Sequence, residues 1–266
     1  MSNEALYNNR KLVPEHPAII EGWARAAQAY RARAHSECDL VYGPGARMQL
    51  DLFHPDGIPR GVHLFIHGGY WQGLDRRFFS HIARHLNAAG MSVAIPSYDL
   101  CPDVRIADII DEMCTAVRFL DQRLGLPMSF SGHSAGGHLV ASLLCRPWPD
   151  LAPGTIRGGV AISGLFDLEP LVDTTINAKL GLTPETARAL SPIRQRPTLD
   201  VPFTSFVGAK ESHGFLEQSS RMVAAWRAHG LVCADRRVAD ANHFTVLQAF
   251  DAPDSALVQA CLAPLA

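Results

Sequence analysis

The pentapeptide Gly132-His133-Ser134-Ala135-Gly136 constrains this chain more than any other stretch. It follows the apolar run Met128 to Ser131 and precedes Gly137 and a second apolar run, Leu139 to Cys145, with helical patterning. A G-x-S-x-G sequence between a strand and a helix predicts a nucleophile elbow, a sharp turn that projects the serine hydroxyl outward. Gly132 and Gly136 stand where a side chain would collide with the neighbouring strand or helix. The helix that begins there presents unpaired N–H groups and a partial positive charge, which suits the oxyanion of an attacked carbonyl. Without the strand before it and the helix after it, the same five residues would read as a glycine-rich turn with an idle serine.

An elbow needs a sheet beneath it. From residue 61 onward apolar strand, loop and helix recur, the pattern of a parallel sheet covered on both faces. The runs predict strands at 62–66, 91–95, 127–131, 157–163, 202–207 and 231–238. Helices are predicted at 75–89, 105–124, 136–146 and 214–229, with a last one after Pro253. Ahead of these, Met48, Leu50 and Leu52 alternate with Gln49 and Asp51. With Asp39 to Tyr42 and the Gly43-Pro44-Gly45 turn they predict an antiparallel hairpin. Residues 14–35 place Ile19, Trp23, Ala26, Ala27 and Tyr30 at helical spacing. That amphipathic helix should pack over the body, and it could also serve a homodimer interface.

The expected class is therefore α/β: a mostly parallel sheet of about eight strands, an N-terminal antiparallel hairpin and helices on both faces. One domain, 1–266, is expected, with residues 1–36 as an N-terminal helical segment. Right-handed crossovers gather the loops at the carboxyl ends of the strands on one edge, where ligands bind in open α/β sheets. Residues 164–198 interrupt the alternation and are too long for a simple connection, so they are expected to form a small helical cap.

Composition narrows the partners. The 266 residues are 47% apolar and 19% charged, with a net charge of -2, which argues against a nucleic-acid partner or an anionic membrane surface. Six cysteines without C-x-x-C spacing read as small buried hydrophobes. Met1 to Arg10 lacks a signal-peptide pattern, and no apolar run is long enough to span a bilayer, so a cytoplasmic protein is expected.

A serine hydroxyl is a poor nucleophile at neutral pH and needs a base, and the base needs an acid to fix its tautomer. His243, just past the strand ending near Val238, occupies the position of the base. For the acid, the strand Pro202 to Val207 runs into Gly208-Ala209-Lys210-Glu211, which makes Glu211 the choice and Asp240 its rival. Asp235 would lie inside a strand. A second set of N–H donors is expected in His67-Gly68-Gly69-Tyr70, after the strand Val62 to Ile66. Gly69 and Tyr70, with Ala135, are the predicted oxyanion donors. Gly68, Trp71, His133, Phe166 and Phe215, with Tyr70, are the expected lining of a substrate pocket. His81 and His85 have metal-like i, i+4 spacing but no accompanying glutamate motif, so an exposed helical face is expected and no metal or cofactor. His63 and His138 read as structural, and His213 as part of the acid's loop.

Taken together, His67-Gly68-Gly69-Tyr70-Trp71 and Gly132-His133-Ser134-Ala135-Gly136-Gly137-His138-Leu139 resemble the kynurenine formamidase (arylformamidase) branch of the α/β-hydrolases, neighbours of the hormone-sensitive-lipase-like esterases. Trp71 and a non-glycine residue at position 70 make the match more specific than the esterase pattern. Tyr98 to Pro102, Gly208 to Gln218 and Asn242-His243-Phe244 extend the resemblance over roughly residues 37 to 250. It implies the α/β-hydrolase fold, with Ser134 as nucleophile, Glu211 as acid and His243 as base. Better-known members carry Asp where this chain has Glu211. The implied activity is cleavage of a small acyl group from an aryl amide or ester through an acyl-enzyme, with N-formylkynurenine the leading substrate. The alternatives are a general carboxylesterase on short-chain or aryl esters and a catalytically silent binding protein of the same fold.

Overall fold

Apolar runs bounded by Gly, Pro or Asp become strands, and the alternation within them decides which face each residue covers. The computed structural model describes residues 2–266. Its strands are β1 (Ser36–Val41), β2 (Gln49–Phe53), β3 (Gly61–Ile66), β4 (Met91–Pro96), β5 (Met128–His133), β6 (Ile156–Ile162), β7 (Phe203–Gly208) and β8 (Cys233–Val238). They form an eight-stranded sheet in the order β1-β2-β4-β3-β5-β6-β7-β8. β1 and β2 pair antiparallel, as do β2 and β4, and every pairing from β4 to β8 is parallel.

The helices are α1 (Asn3–Tyr7), α2 (Asn9–Leu12), α3 (His16–Arg31), α4 (Ala83–Ala88), α5 (Ile106–Leu124), α6 (Ala135–Leu144), α7 (Asn177–Leu180), α8 (Pro184–Ala189), α9 (His213–Ala228) and α10 (Ala256–Leu262). Two apolar clusters fill the space between sheet and helices. Val62, Leu64 and Ile66 of β3 join side chains of α5, α6 and α9 in one, whereas Phe65 of the same strand joins α3, α4 and α10 in the other. The period-two switch along one strand is what allows helices on both faces.

Three expectations need correction. The helix predicted at 75–89 is two 3-10 turns, Arg76–Phe78 and Ser80–Ile82, before α4. Arg76 explains the break: its buried guanidinium bonds Asp51, Asp39, Gln49 and Ser97, which pins the first turn to the hairpin side of the sheet. His81 is consequently buried instead of lying on an exposed face. Cys38 is exposed, unlike the buried cysteines at 101, 114, 233 and 261.

The segment 164–198 holds α7, α8 and two 3-10 turns, Glu169–Leu171 and Pro192–Arg194. It buries Leu165, Phe166, Leu168, Leu171 and Ala187 in the first cluster. Ahead of α3, within the helical segment expected at 1–36, the polar opening of the chain forms α1 and α2, which no periodicity marks. Ser2 caps α1 and Asn8 caps α2, each accepting a backbone N–H, so short polar residues start these helices locally. No helix among the described residues is long and apolar enough to cross a membrane.

Candidate active site

The chain reverses at the carboxyl end of β5 through a residue that would normally avoid such a conformation. Ser134 has φ 56° and ψ -117°, and α6 starts at the next residue. A positive φ at a non-glycine residue costs about 1–3 kcal/mol and persists only where the surroundings impose it. Here they do. Ser134 N–H donates to the Ile162 carbonyl (2.7 Å), and the elbow is packed so closely that a Cβ on Gly136 would lie 2.0 Å from the Ile66 carbonyl oxygen. A Cβ on Gly132 would lie 2.2 Å from the carbonyl oxygen of Gly136.

The loops after β7 and β8 end on the same edge and bring two side chains to Ser134. His243 Nε2 stands 3.1 Å from Ser134 Oγ, and its Nδ1–H donates to Glu211 Oε2 at 2.7 Å. The other carboxylate oxygen, Oε1, accepts from Ser163 Oγ (2.5 Å) and from the Gly208 N–H (2.7 Å). The Glu211 carboxylate thus has every bond needed to keep it in one orientation. Asp240 is exposed and pairs with Lys210 Nζ at 2.8 Å, and Asp235 accepts from Ser219 Oγ. Neither bonds His243.

The imidazole of His243 is wedged between aromatic faces, with Phe215, His133 and Phe244 at centroid distances of 4.6, 4.8 and 5.5 Å. His133 Nε2–H donates to the His243 carbonyl at 2.8 Å, so the residue before the serine fixes the backbone of the residue that faces it. Burial holds His133 well below the usual histidine range, and the nearby His243 adds to that, which leaves the His133 ring neutral.

The loop after β3 closes the other side. A Cβ on Gly68 would meet Ser134 Cβ at 2.9 Å, so this backbone touches the serine itself. Gly69, Tyr70 and Trp71 all have positive φ, of 109°, 53° and 56°. The turn is held by Gln72 N–H to the Gly69 carbonyl, Cys101 N–H to the Trp71 carbonyl and the Tyr70 hydroxyl to the Tyr7 carbonyl. Among the described residues the N–H groups of Gly69 and Tyr70 have no protein acceptor. Ala135 opens α6, so its N–H has no intrahelical acceptor either. His67 stacks on Tyr98 at 4.3 Å, and burial lowers its pKa to about 4.

Ser134, His243, Gly69, Tyr70 and His133 border a small cavity of about 40 Å³. Its aromatic wall differs from the expected one. Gly68 does not line it, and Trp71, Phe166 and Phe215 are fully buried and do not line it either. Trp71 sits edge-on to His138 at 5.0 Å, Phe166 packs against Phe203, and Phe215 supports the far side of His243. Each has an apolar cluster to fill, and the strongest burial drive took it there. Trp23 of α3, Tyr70 and Phe244 supply the aromatic surface instead, with Ile20, Leu74, Asn9 and Arg10. Sequence reasoning missed Asn9, Arg10 and Ser163. It read Trp23 only as a packing residue, and the periodicity of α3 offered no further signal.

Comparison with known proteins shows the family and the fold. Residues 63–191 match a family described as the alpha/beta hydrolase fold. A kynurenine formamidase of Danio rerio is 30% identical over 244 residues, 87% of this chain and 81% of that protein. One from Salmo salar is 29% identical over 92% of this chain and 86% of that protein. Among solved structures, a proposed thioesterase from Silicibacter sp. TM1040 superposes with a TM-score of 0.91 at 35% identity, covering 98% of this chain and 99% of that one.

Proposed function

The chain belongs to the α/β-hydrolase family, in the branch that holds the kynurenine formamidases, and is a hydrolase of esters or amides; from that premise we propose that it cleaves small acyl groups, formyl above all, from aryl amides or esters through a Ser134–His243–Glu211 relay. The observation that carries the reading is the unbroken hydrogen-bonded line from Ser134 Oγ through His243 to Glu211, beside a cavity of about 40 Å³. A space of that size admits a few water-sized groups, enough for a formyl or acetyl group.

In this mechanism His243 Nε2 takes the Ser134 hydroxyl proton as Oγ attacks the carbonyl carbon. The N–H groups of Gly69, Tyr70 and Ala135 receive the oxyanion. Collapse breaks the bond to the amine or alcohol, which leaves with the proton from the imidazolium. Water, deprotonated by the same nitrogen, then attacks the acyl-enzyme and releases the acid with Ser134 restored. Glu211 keeps Nδ1 protonated throughout and balances the imidazolium charge.

N-formylkynurenine is the leading substrate, supported by the relatives named above. The structure at 35% identity favours a second reading, a short-acyl thioester, on the same acyl-enzyme chemistry. Steady-state kinetics of the purified enzyme on N-formylkynurenine, p-nitrophenyl acetate and an acetyl thioester separate them. The formamidase reading requires the highest kcat/KM on N-formylkynurenine, and turnover of the esters alone would overturn it. Labelling by a fluorophosphonate that disappears in Ser134→Ala is the expected sign of the relay; labelling that persists would refute it.

A further inference from the structure

The cavity at Ser134 does not stand alone. It adjoins a larger one of about 240 Å³, and both are bordered by Asn9, Arg10, Gly69 and Tyr70. An acyl group in the first space leaves the second, which shares four lining residues with it, open to the rest of the substrate. Its wall is polar and cationic: Arg10 from α2 and Lys179 from α7 line it, and no acidic residue does. Among the described residues neither cation pairs with a carboxylate. The carboxylate beside this wall, Glu4, is already engaged by Lys11 Nζ (2.9 Å), Asn8 Nδ2 (2.7 Å) and the N–H of Thr175 (2.9 Å).

Asn9 supplies the second, independent observation. It is only 4% exposed, it borders both cavities, and its side-chain Nδ2 is buried with no hydrogen-bond partner. A buried amide left unsatisfied is destabilising, a cost that a bound polar group would remove.

We propose that α2 carries the leaving-group subsite: Asn9 donates to a polar atom of the substrate at the junction of the two cavities, and Arg10, assisted by Lys179, pairs with a carboxylate on the departing amine or alcohol. The proposal rests on the acyl-transfer reading above and deepens it, because it names the charge of the substrate class. A planar guanidinium holds a carboxylate through two parallel N–H bonds, a stronger and more directional contact than a lone ammonium makes.

A matched pair of esters tests it: 4-acetoxybenzoate and its methyl ester, which share the acyl group and the ring and differ in one charge. The readout is the ratio of their kcat/KM values, which a partly unfolded preparation does not change. Wild type should favour the carboxylate, and the preference should shrink as salt is added. Arg10→Ala should reduce the ratio about tenfold, mainly through KM, with Lys179→Ala smaller and Arg10→Lys retaining part of the preference. Asn9→Asp, which sets a negative charge at the junction, should invert the ratio. A wild-type ratio near one, or a ratio unchanged in both Arg10→Ala and Lys179→Ala, overturns the subsite while leaving the hydrolase reading intact. If wild type turns over neither ester and Ser134 resists fluorophosphonate, both fall together.

Discussion

The elbow at Ser134 and the arm at residues 2–13 border the same cavity and are held in different ways. Around the elbow the contacts are mostly backbone: Ser134 N–H on the Ile162 carbonyl, Gly136 against the Ile66 carbonyl, Gly68 against the His133 carbonyl. The arm hangs on side chains from distant segments. Tyr7 packs on Phe215 at 5.6 Å, Gln218 Nε2 reaches the Tyr7 hydroxyl, Ser212 Oγ–H donates to the Leu6 carbonyl (2.5 Å), and Glu4 accepts from Thr175. Backbone contacts survive most substitutions, whereas a side-chain tether is lost with one. The proposed reacting groups therefore sit on the part of the molecule that mutation moves least, and the proposed recognition groups sit on the part that single changes can retune.

The largest expected effect falls on the elbow's relay. Glu211→Gln should lower kcat by about 10⁴-fold at neutral pH, because the amide no longer holds the His243 tautomer, while Asn9 and Arg10 keep their substrate contacts and KM changes little. A drop confined to KM would place Glu211 outside the relay.

Acid should separate the two regions next. Burial depresses His67 and His138 to about 4 and His63 to about 3, and holds His133 well below the ordinary 6.5. A depressed folded pKa gives stability that is complete above 6.5 and lost as pH falls toward the folded value. Each ring then removes up to about 1.4 kcal/mol per pH unit across that window. Glu112 runs the other way: burial pushes it up to about 7, so its contribution is full below 4.5 and lost as pH rises through 7. One carboxyl against five imidazoles, since burial lowers His81 to about 4 as well, leaves a net loss in acid, and urea midpoints should fall steeply between pH 6.5 and 4. The arm's Glu4 is held at about 2 by Asn8, the Thr175 N–H and Lys11, so its tether stays ionised throughout. Proteolysis near Arg10 that rises at pH 5.5 before the sheet unfolds would contradict this.

A smaller effect belongs to the tether itself. Tyr7→Ala removes a buried ring and should cost about 3 kcal/mol, raising KM for aryl substrates while Ser134 still reacts with fluorophosphonate. Equal loss of both would mean that the arm supports the elbow after all. Smallest is Ser163→Ala, which deprives Glu211 of one of its three hydrogen bonds; about 1–2 kcal/mol of barrier, or roughly tenfold in kcat, is expected with KM constant.

The same contrast explains what could be read from the chain. The strand–turn–helix at Gly132 to Gly136 is a local pattern, and the loops after β7 and β8 follow from counting strands, so Glu211 and His243 could be named before their contact with each other was known. Asp240 was a rival by proximity in sequence, yet its place in the loop turns it to Lys210 on the surface. The aromatic wall was not readable. Trp71, Phe166 and Phe215 lie near the motifs in sequence, but an aromatic residue there can serve the core or the cavity with the same local pattern. Ser163 follows β6 and looks like any strand-end serine until β7 places Glu211 opposite it.

By itself the sequence determined an α/β sheet, its hairpin edge, and a serine, a carboxylate and an imidazole arriving in order at one edge, because apolar periodicity and glycine at crowded turns act over a few residues. Only the tertiary structure decided that a polar arm would roof that edge and bring Asn9 and Arg10 to the cavity. Periodicity says which face of a segment is apolar; what that face meets depends on surfaces assembled from residues more than a hundred positions away.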